Sequence, residues 1–116
     1  MKIPEEISFT SLFECEPTML DKDIPYFYNE STYRFCNGNS EKFIVRFCPS
    51  YGDINIQVYA ESTNELMSNI VCANVVAIEI LVDKKDESII MITSENSAIK
   101  INFKPKFKIF INQFWS

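Results

Sequence analysis

The feature that most constrains the fold of this chain is a period-two alternation of apolar and polar residues near its end. Between Ile99 and Ile111 the odd positions are Ile or Phe except Pro105, and the even positions are Lys or Asn except Phe110. Successive side chains of a β-strand point to opposite faces of the sheet. The pattern therefore predicts extended backbone with one buried face and one solvated face.

Pro105 divides this stretch into two strands. As one strand, residues 98–112 would span about 50 Å at about 3.3 Å per residue, whereas a chain of this size has a radius of gyration of about 13 Å. Lys104-Pro105-Lys106 lacks the Gly, Asn or Asp that tight hairpin turns favour. We therefore predict two collinear segments, 98–104 and 106–112, that bend at the proline and let the sheet curl over its core.

The same alternation predicts strands elsewhere in the chain. Residues 32–60 indicate an antiparallel meander of three strands, because they alternate in character and are divided by turn clusters at 37–40 and 49–53. Residues 74–82 and 89–93 predict two more strands, and an additional strand is expected near 25–29.

Two segments predict helix instead. Ser62 and Glu65 have capping-box spacing, and Leu66/Ile70 and Met67/Val71 are apolar pairs four residues apart. They predict one short helix near 62–72. Residues 1–23 predict a short helix or an irregular cover, because a proline followed by two glutamates suits a first helical turn.

These elements together predict an α+β fold. We expect a mostly antiparallel β sheet, curled as a half-barrel or sandwich around one core. The short helix near 62–72 and an N-terminal helix would pack on this sheet. The 116 residues suffice for a single domain that spans 1–116.

Composition predicts a location and excludes several kinds of site. Residues 1–6 place a proline and two acids where a secretion signal needs an apolar run, and no apolar run approaches the length of a membrane span. We expect a cytoplasmic protein without membrane contact. The cysteines (Cys15, Cys36, Cys48 and Cys72) form no C-x-x-C pair, so we interpret them as small core residues and expect no metal site.

The sequence also argues against catalysis. There is no histidine, so neither a histidine general base nor a Ser-His or Cys-His nucleophile pair is available. Two glycines are too few for a phosphate-binding or dinucleotide-binding loop. We expect no enzymatic activity and no cofactor.

The net negative charge of the chain is confined to its first quarter. Residues 1–30 contain seven acids and two lysines, a net charge of −5, whereas residues 31–116 contain nine acids and nine bases. This distribution argues against direct binding of nucleic acid, which needs cations to neutralise phosphates. It favours a basic protein partner. The predicted docking residues are the acids of this segment with the tyrosines beside and beyond them: Glu14, Glu16, Asp21, Asp23, Tyr26, Tyr28, Glu30 and Tyr51.

Two further features carry both a structural and a functional interpretation. The row of Lys100, Lys104, Lys106 and Lys108 either guards an edge strand against aggregation or docks an acidic partner. Phe114-Trp115 is either packed against the sheet or an aromatic anchor at an interface. We favour the structural interpretation of both.

The C-terminal half resembles the immunity proteins of bacterial contact-dependent growth inhibition toxin systems. The resemblance rests on N-V-V-A-I-E-I at 74–80, S-I-I-M-I at 88–92 and I-K-I-N-F-K-P-K-F-K-I at 99–109. It implies a protein that binds a cognate toxin domain, often a basic nuclease, and blocks its active site, as a monomer or in a 1:1 complex. The alternatives are a small-ligand carrier that uses the interior of the sheet and a structural or assembly protein that uses the lysine-lined edge.

Overall fold

The structure is a computed structural model that describes residues 1–113. Within this range the chain forms one α-helix, a 3₁₀ turn at Tyr26–Tyr28 and nine strands. The bounds are α1 Glu6–Phe13, β1 Thr18–Met19, β2 Ser31–Cys36, β3 Glu41–Cys48, β4 Asp53–Ala60, β5 Glu65–Cys72, β6 Val75–Lys84, β7 Glu87–Ser94, β8 Ser97–Lys104 and β9 Lys108–Gln113.

The strands form two antiparallel sheets. The first has the order β1-β2-β3-β4-β5 and the second the order β6-β7-β8-β9, so that within each sheet every strand pairs with its neighbours in the sequence. The predicted fold class, α+β with mostly antiparallel strands, is confirmed as a sandwich-like arrangement, and α1 is the expected N-terminal helix.

The core lies between the two sheets and consists mainly of isoleucine and phenylalanine side chains. Phe43 of β3 and Phe103 of β8 meet edge to face at 5.2 Å between ring centroids, which joins the sheets directly. The helix contributes Phe9, which lies 5.1 Å from Phe47, and Phe13, which lies 5.3 Å from Phe103. Such aromatic pairs add about 0.5–1.5 kcal/mol each beyond the burial of their area. These rings occupy the space in which a carrier protein would hold its ligand.

The helix predicted near 62–72 is wrong, because residues 65–72 form strand β5. Leu66 and Ile70 are four residues apart, and this even spacing is also compatible with a regular strand. In β5 a bulge before Ser68 places Leu66 opposite Tyr59 and Ile70 opposite Ile56, so the two side chains lie on different faces. The competing interaction is the edge of β4, which pairs with β5 from Ile54↔Cys72 to Ala60↔Glu65. Main-chain hydrogen bonds along that edge outweigh a two-turn helix, which is marginal without tertiary packing.

The bend predicted at Pro105 is also wrong, because β8 and β9 fold back on one another as a hairpin. Ile101 pairs with Ile109 and Ile99 with Ile111, so odd positions face the same side in a hairpin as they would in a straight strand. The Lys104–Pro105 peptide in the turn is cis. The turn is also held from the other sheet, where Glu41 Oε1 accepts a hydrogen bond from the Phe107 N–H at 2.9 Å.

The strand expected near 25–29 is replaced by the 3₁₀ turn at Tyr26–Tyr28, and a short strand occurs earlier, at β1. All four cysteines are unpaired thiols. Cys36 is exposed and the other three are half-buried, and burial raises the pKa of the Cys15 and Cys72 thiols. None of the helices between residues 1 and 113 has the length and apolar character needed to cross a membrane.

Candidate protein-binding groove

A concave groove of about 600 Å³ opens at one end of the five-stranded sheet, where β3 ends and β4 begins. The segment from Leu20 to Glu30 forms one wall, and the β3–β4 turn with the end of β5 forms the other. We call this the acidic groove. Its lining residues are Leu20, Asp21, Ile24, Tyr28, Asn29, Glu30, Arg46, Phe47, Cys48, Tyr51, Asp53, Ile54, Asn55, Val71, Cys72 and Ala73.

The buried amide of Asn29 holds the first wall in shape. Its Nδ2 donates hydrogen bonds to the carbonyl oxygens of Asp21 and Ile24, and its Oδ1 accepts from the backbone N–H groups of Asp21 and Glu30. Asn29 is only 2% exposed, so its four hydrogen bonds are made away from bulk water, and their loss would destabilise the loop. The side chain therefore closes residues 21–30 into a compact loop.

The second wall is fixed by the turn between β3 and β4. Gly52 adopts φ +70°, and an added Cβ would lie 3.2 Å from the backbone of Val75, so a side chain at this position would be strained and crowded. The Val75 N–H donates to the Gly52 carbonyl at 2.9 Å, which ties this turn to the start of the second sheet. Tyr51 and Asp53 on either side are thereby held at the groove.

The charge of the groove is negative. Asp21, Glu30 and Asp53 contribute three carboxylates against the single cation of Arg46. The Arg46 guanidinium lies 3.8 Å from Glu30, so it balances that carboxylate. Among residues 1–113 neither Asp21 nor Asp53 forms an ion pair with a lysine or arginine. Both carboxylates are exposed and therefore accessible to a cation on a partner.

The rim of the groove carries large apolar and aromatic side chains in solvent. The exposed fractions are 77% for Leu20, 65% for Tyr28, 76% for Tyr51 and 71% for Val71. Single exposed hydrophobic residues are ordinary, but a group of them around one concavity marks an interaction site. Aromatic anchors surrounded by polar groups are typical of protein–protein interfaces.

The structure brings together half of the predicted docking residues. Asp21, Tyr28, Glu30 and Tyr51 line the acidic groove. Asp23 lies in the same loop, where its backbone N–H donates to Asp21 Oδ1 at 3.0 Å. Glu16 is exposed but lies outside the groove.

Tyr26 and Glu14 are placed differently from the rest of the predicted set. The Tyr26 ring packs edge-on against Phe47, with 6.1 Å between centroids, and its hydroxyl oxygen is buried. Burial, with the nearby Tyr33 and Glu6, raises the pKa of that hydroxyl. Glu14 pairs with Lys104 Nζ at 2.7 Å, and this ammonium holds the pKa of the carboxyl below its usual range.

Glu14 belongs to the opposite end of the five-stranded sheet, which we call the hairpin end. It comprises the β2–β3 turn at 37–41, the β8–β9 turn at 103–107 and the Glu14–Lys104 pair. Glu41, 7% exposed, accepts hydrogen bonds from Asn37 Nδ2 and the Phe107 N–H, each at 2.9 Å, and Asn37 Nδ2 also donates to the Phe103 carbonyl. These bonds connect the two sheets.

The lysine row does not form one continuous docking face. Lys104 is paired with Glu14, and Lys100 lies over the Phe110 ring with its Nζ 4.6 Å from the centroid. Lys106 and Lys108 are exposed at the β8–β9 turn and at the start of β9. The residues predicted as an aromatic anchor or core element, Phe114-Trp115, lie outside the described residues.

Sequence reasoning missed several residues of the groove. Asp53 adjoins the turn that contains Tyr51, so the same turn signal identifies it. Leu20, Ile24 and Val71 had no signal, because their exposure depends on how the loop and β5 meet in space. Asn29 also lacked one, since a buried amide that caps four backbone groups resembles any other asparagine in the sequence. Within residues 1–113, no group of three or more Cys, Asp or Glu side chains is arranged to hold a metal ion.

Comparison with known proteins gives a likeness in fold. No protein-family model matches the chain, and no curated protein sequence matches it. Among solved structures, a chain of a "Contact-dependent growth inhibition toxin - immunity protein complex from Klebsiella pneumoniae 342" matches with a TM-score of 0.76 and 20% sequence identity. The match covers 96% of this chain and 95% of that chain.

This chain has the fold of a protein from a toxin–immunity complex. The resemblance inferred from the strands between residues 74 and 109 is confirmed at the level of the fold, and the match extends it over nearly the whole chain. Function is a separate matter, because one fold serves many functions and only a site distinguishes them.

Proposed function

We propose that this protein is the immunity protein of a contact-dependent growth inhibition system. It binds a cognate toxin domain through the acidic groove and covers the active site of that toxin. The observation that carries the proposal is the fold match over 96% of the chain to a protein of a toxin–immunity complex. The groove supports it, because exposed aromatic side chains surround carboxylates that lack an internal cation among residues 1–113.

The charge of the groove indicates the character of the partner. Asp21 and Asp53 would attract a domain rich in lysine or arginine, which is the surface that a nuclease presents to nucleic acid. Complementary charge raises the association rate, and buried aromatic anchors then slow dissociation. An immunity protein that occupies the cationic substrate path of a nuclease excludes the substrate by charge and by volume.

The proposal places the protein in the cytoplasm, where a toxin that attacks nucleic acid would act. It also makes the active species a monomer that forms a 1:1 complex. Standard protein–protein interfaces bury about 800 Å² on each partner. We expect a toxin domain bound at the acidic groove to bury a surface of that order.

We expect a gene beside that of this chain to encode a large exported protein, and the test begins with that protein. Its C-terminal domain, here called the candidate toxin domain, is expressed in a laboratory bacterium with and without this chain. We expect growth arrest by the domain alone and normal growth with both proteins. A matched control is the Tyr28→Ala/Tyr51→Ala variant, whose two substitutions lie on the exposed rim; it should fold normally and protect poorly.

Three results would contradict the proposal. The candidate toxin domain kills the cells whether or not this chain is present, the two purified proteins fail to form a complex, or this chain arrests growth when expressed alone. The last result would make this chain the toxic member of such a pair.

A further inference from the structure

The outer edge of β5 is an unprotected strand edge that leads into the acidic groove. β5 pairs with β4 on one side, and no other strand in residues 1–113 pairs with its second side. Such an edge presents unpaired N–H and C=O groups to any extended chain. Val71 and Cys72, at the end of β5, line the groove, so the edge and the groove form one continuous surface.

Two of the other three sheet edges are blunted. β1 has only two residues, and β6 is partly covered by Lys2, whose N–H donates to the Val76 carbonyl at 2.8 Å and whose carbonyl accepts from the Ile78 N–H at 2.8 Å. Within residues 1–113 the outer side of β9 is also a free edge, but none of its residues lines the acidic groove.

β5 has a bulge near Leu66 and Met67, where the register with β4 shifts. From Ser68 to Cys72 the register is regular, and this stretch contains no charged residue and no proline. These five residues therefore lack the features by which proteins discourage edge pairing. A strand edge of this kind is prone to aggregation unless a binding partner covers it.

We propose that the edge from Ser68 to Cys72 accepts an extended segment of the toxin as an additional strand, with a lysine or arginine of that segment in the acidic groove. Main-chain hydrogen bonds to the strand edge give affinity, and the pocket at its end gives specificity. The charge of the groove selects a basic residue, because Asp21 and Asp53 form no ion pair within residues 1–113. This inference rests on the proposed function and names the kind of contact that the toxin makes.

Hydrogen exchange of the intact protein, alone and saturated with the candidate toxin domain, tests the inference. Amides on the outer side of β5 should exchange rapidly in the free protein and at least about tenfold more slowly in the complex. Amides of β9 should not change. If a complex forms but exchange within residues 68–72 is unaltered, the added strand is refuted while the immunity function stands. If no complex forms, the proposed function fails first.

A matched pair of variants provides a second test. Asn69→Lys places a lysine on the β5 edge, and Asn112→Lys places the same residue on β9; both positions are exposed. Because Asn69 Oδ1 accepts a hydrogen bond from Asn55 Nδ2 at 2.8 Å, Asn69→Ala, which removes that bond without adding a charge, is included as a control and should bind normally. At about 0.5 M salt, where charges are screened within a few ångströms, we expect Asn69→Lys to weaken binding about tenfold and Asn112→Lys to leave it unchanged. Equal effects of the two variants would overturn the inference. So would a free protein that is a dimer with β5 already protected, since a second copy would then occupy the edge.

Discussion

The two ends of the five-stranded sheet use their carboxylates in opposite ways. At the hairpin end Glu14 is paired with Lys104, and Glu41 accepts hydrogen bonds from Asn37 and Phe107. At the acidic groove Asp21 and Asp53 point into solvent beside exposed aromatic rings. One end is committed to joining the sheets, while the other retains side chains that a partner can bind. Net charge alone does not distinguish the two ends.

The largest effect should come from removing Glu41 at the hairpin end. Glu41→Ala leaves the Phe107 N–H and one of the two Asn37 Nδ2 hydrogens without an acceptor, so we expect the free energy of unfolding to fall by about 3 kcal/mol. Chemical denaturation measures this change. Glu61→Ala, an exposed glutamate beyond β4, should change stability by less than about 0.5 kcal/mol. A loss of toxin binding by folded Glu41→Ala protein would contradict the division between the two ends.

Tyr51→Ala should weaken toxin binding without changing the stability of the fold. The ring is 76% exposed, so its removal should leave the unfolding free energy nearly unchanged. As an aromatic anchor on the groove rim it should contribute about 2 kcal/mol to binding, roughly a 30-fold change in Kd. Calorimetric titration with the candidate toxin domain measures the loss. The control is Phe110→Ala, a half-exposed ring on β9; if both variants bind equally well, the groove is not the docking site.

The charges of the groove should govern association rather than stability. For Asp21→Asn/Asp53→Asn we expect the association rate to fall about tenfold at low salt, and the difference from the unmodified protein to disappear near 0.5 M salt. Stopped-flow measurements over a salt series test this. Glu61→Gln/Asp86→Asn removes the same net charge elsewhere, and a similar slowing with that variant would show that total charge matters, not position.

The fold class could be predicted from the sequence because the alternation of apolar and polar residues is present within each strand. The strands at 41–48 and 53–60 follow from their own residues and from the turns between them. The sequence-based prediction was wrong where a segment was compatible with two local structures and a tertiary contact stabilised one of them. Leu66 and Ile70 fit a helix or a strand equally well, and the exposed edge of β4 decided for the strand. Pro105 fits a bend or a cis turn, and Glu41, distant in the sequence, holds the turn that formed.

For a related reason, only four of the eight predicted docking residues line the acidic groove. Counting charge along the sequence identified the acidic segment 1–30 but not which of its acids meet internal cations. Lys104 is 90 residues from Glu14, so their ion pair had no local signal. The groove is formed by the loop that Asn29 closes and by the end of β5, which are distant in the sequence.

A smaller loss of stability should appear as the pH is lowered. Burial raises the pKa of Glu41, but hydrogen bonds from Asn37, Phe107 and Asn39 outweigh it, so the folded-state pKa lies below the ordinary value. The folded protein therefore gains stability from this group above the unfolded-state pKa of about 4.3 and loses it as the pH falls through the lowered folded-state pKa. We expect denaturation midpoints of the unmodified protein to fall more steeply below about pH 5 than those of Glu41→Gln. Parallel curves would contradict this role.

The smallest effect, and the sharpest test of how far the docking surface extends, is expected from Glu14→Gln. Glu14 was among the residues predicted to bind the partner, but its carboxylate lies 2.7 Å from Lys104 at the hairpin end. The Lys104 side chain is only 12% exposed, but Glu14 is exposed and glutamine retains an oxygen that can accept from Lys104 Nζ. Folding should therefore change little, and toxin binding should change by less than about twofold. A loss as large as that of Asp21→Asn/Asp53→Asn would mean that the toxin reaches from the acidic groove to the hairpin end. The two ends would then form one interface, and the internal pairing of Glu14 would be broken or shared when the toxin binds.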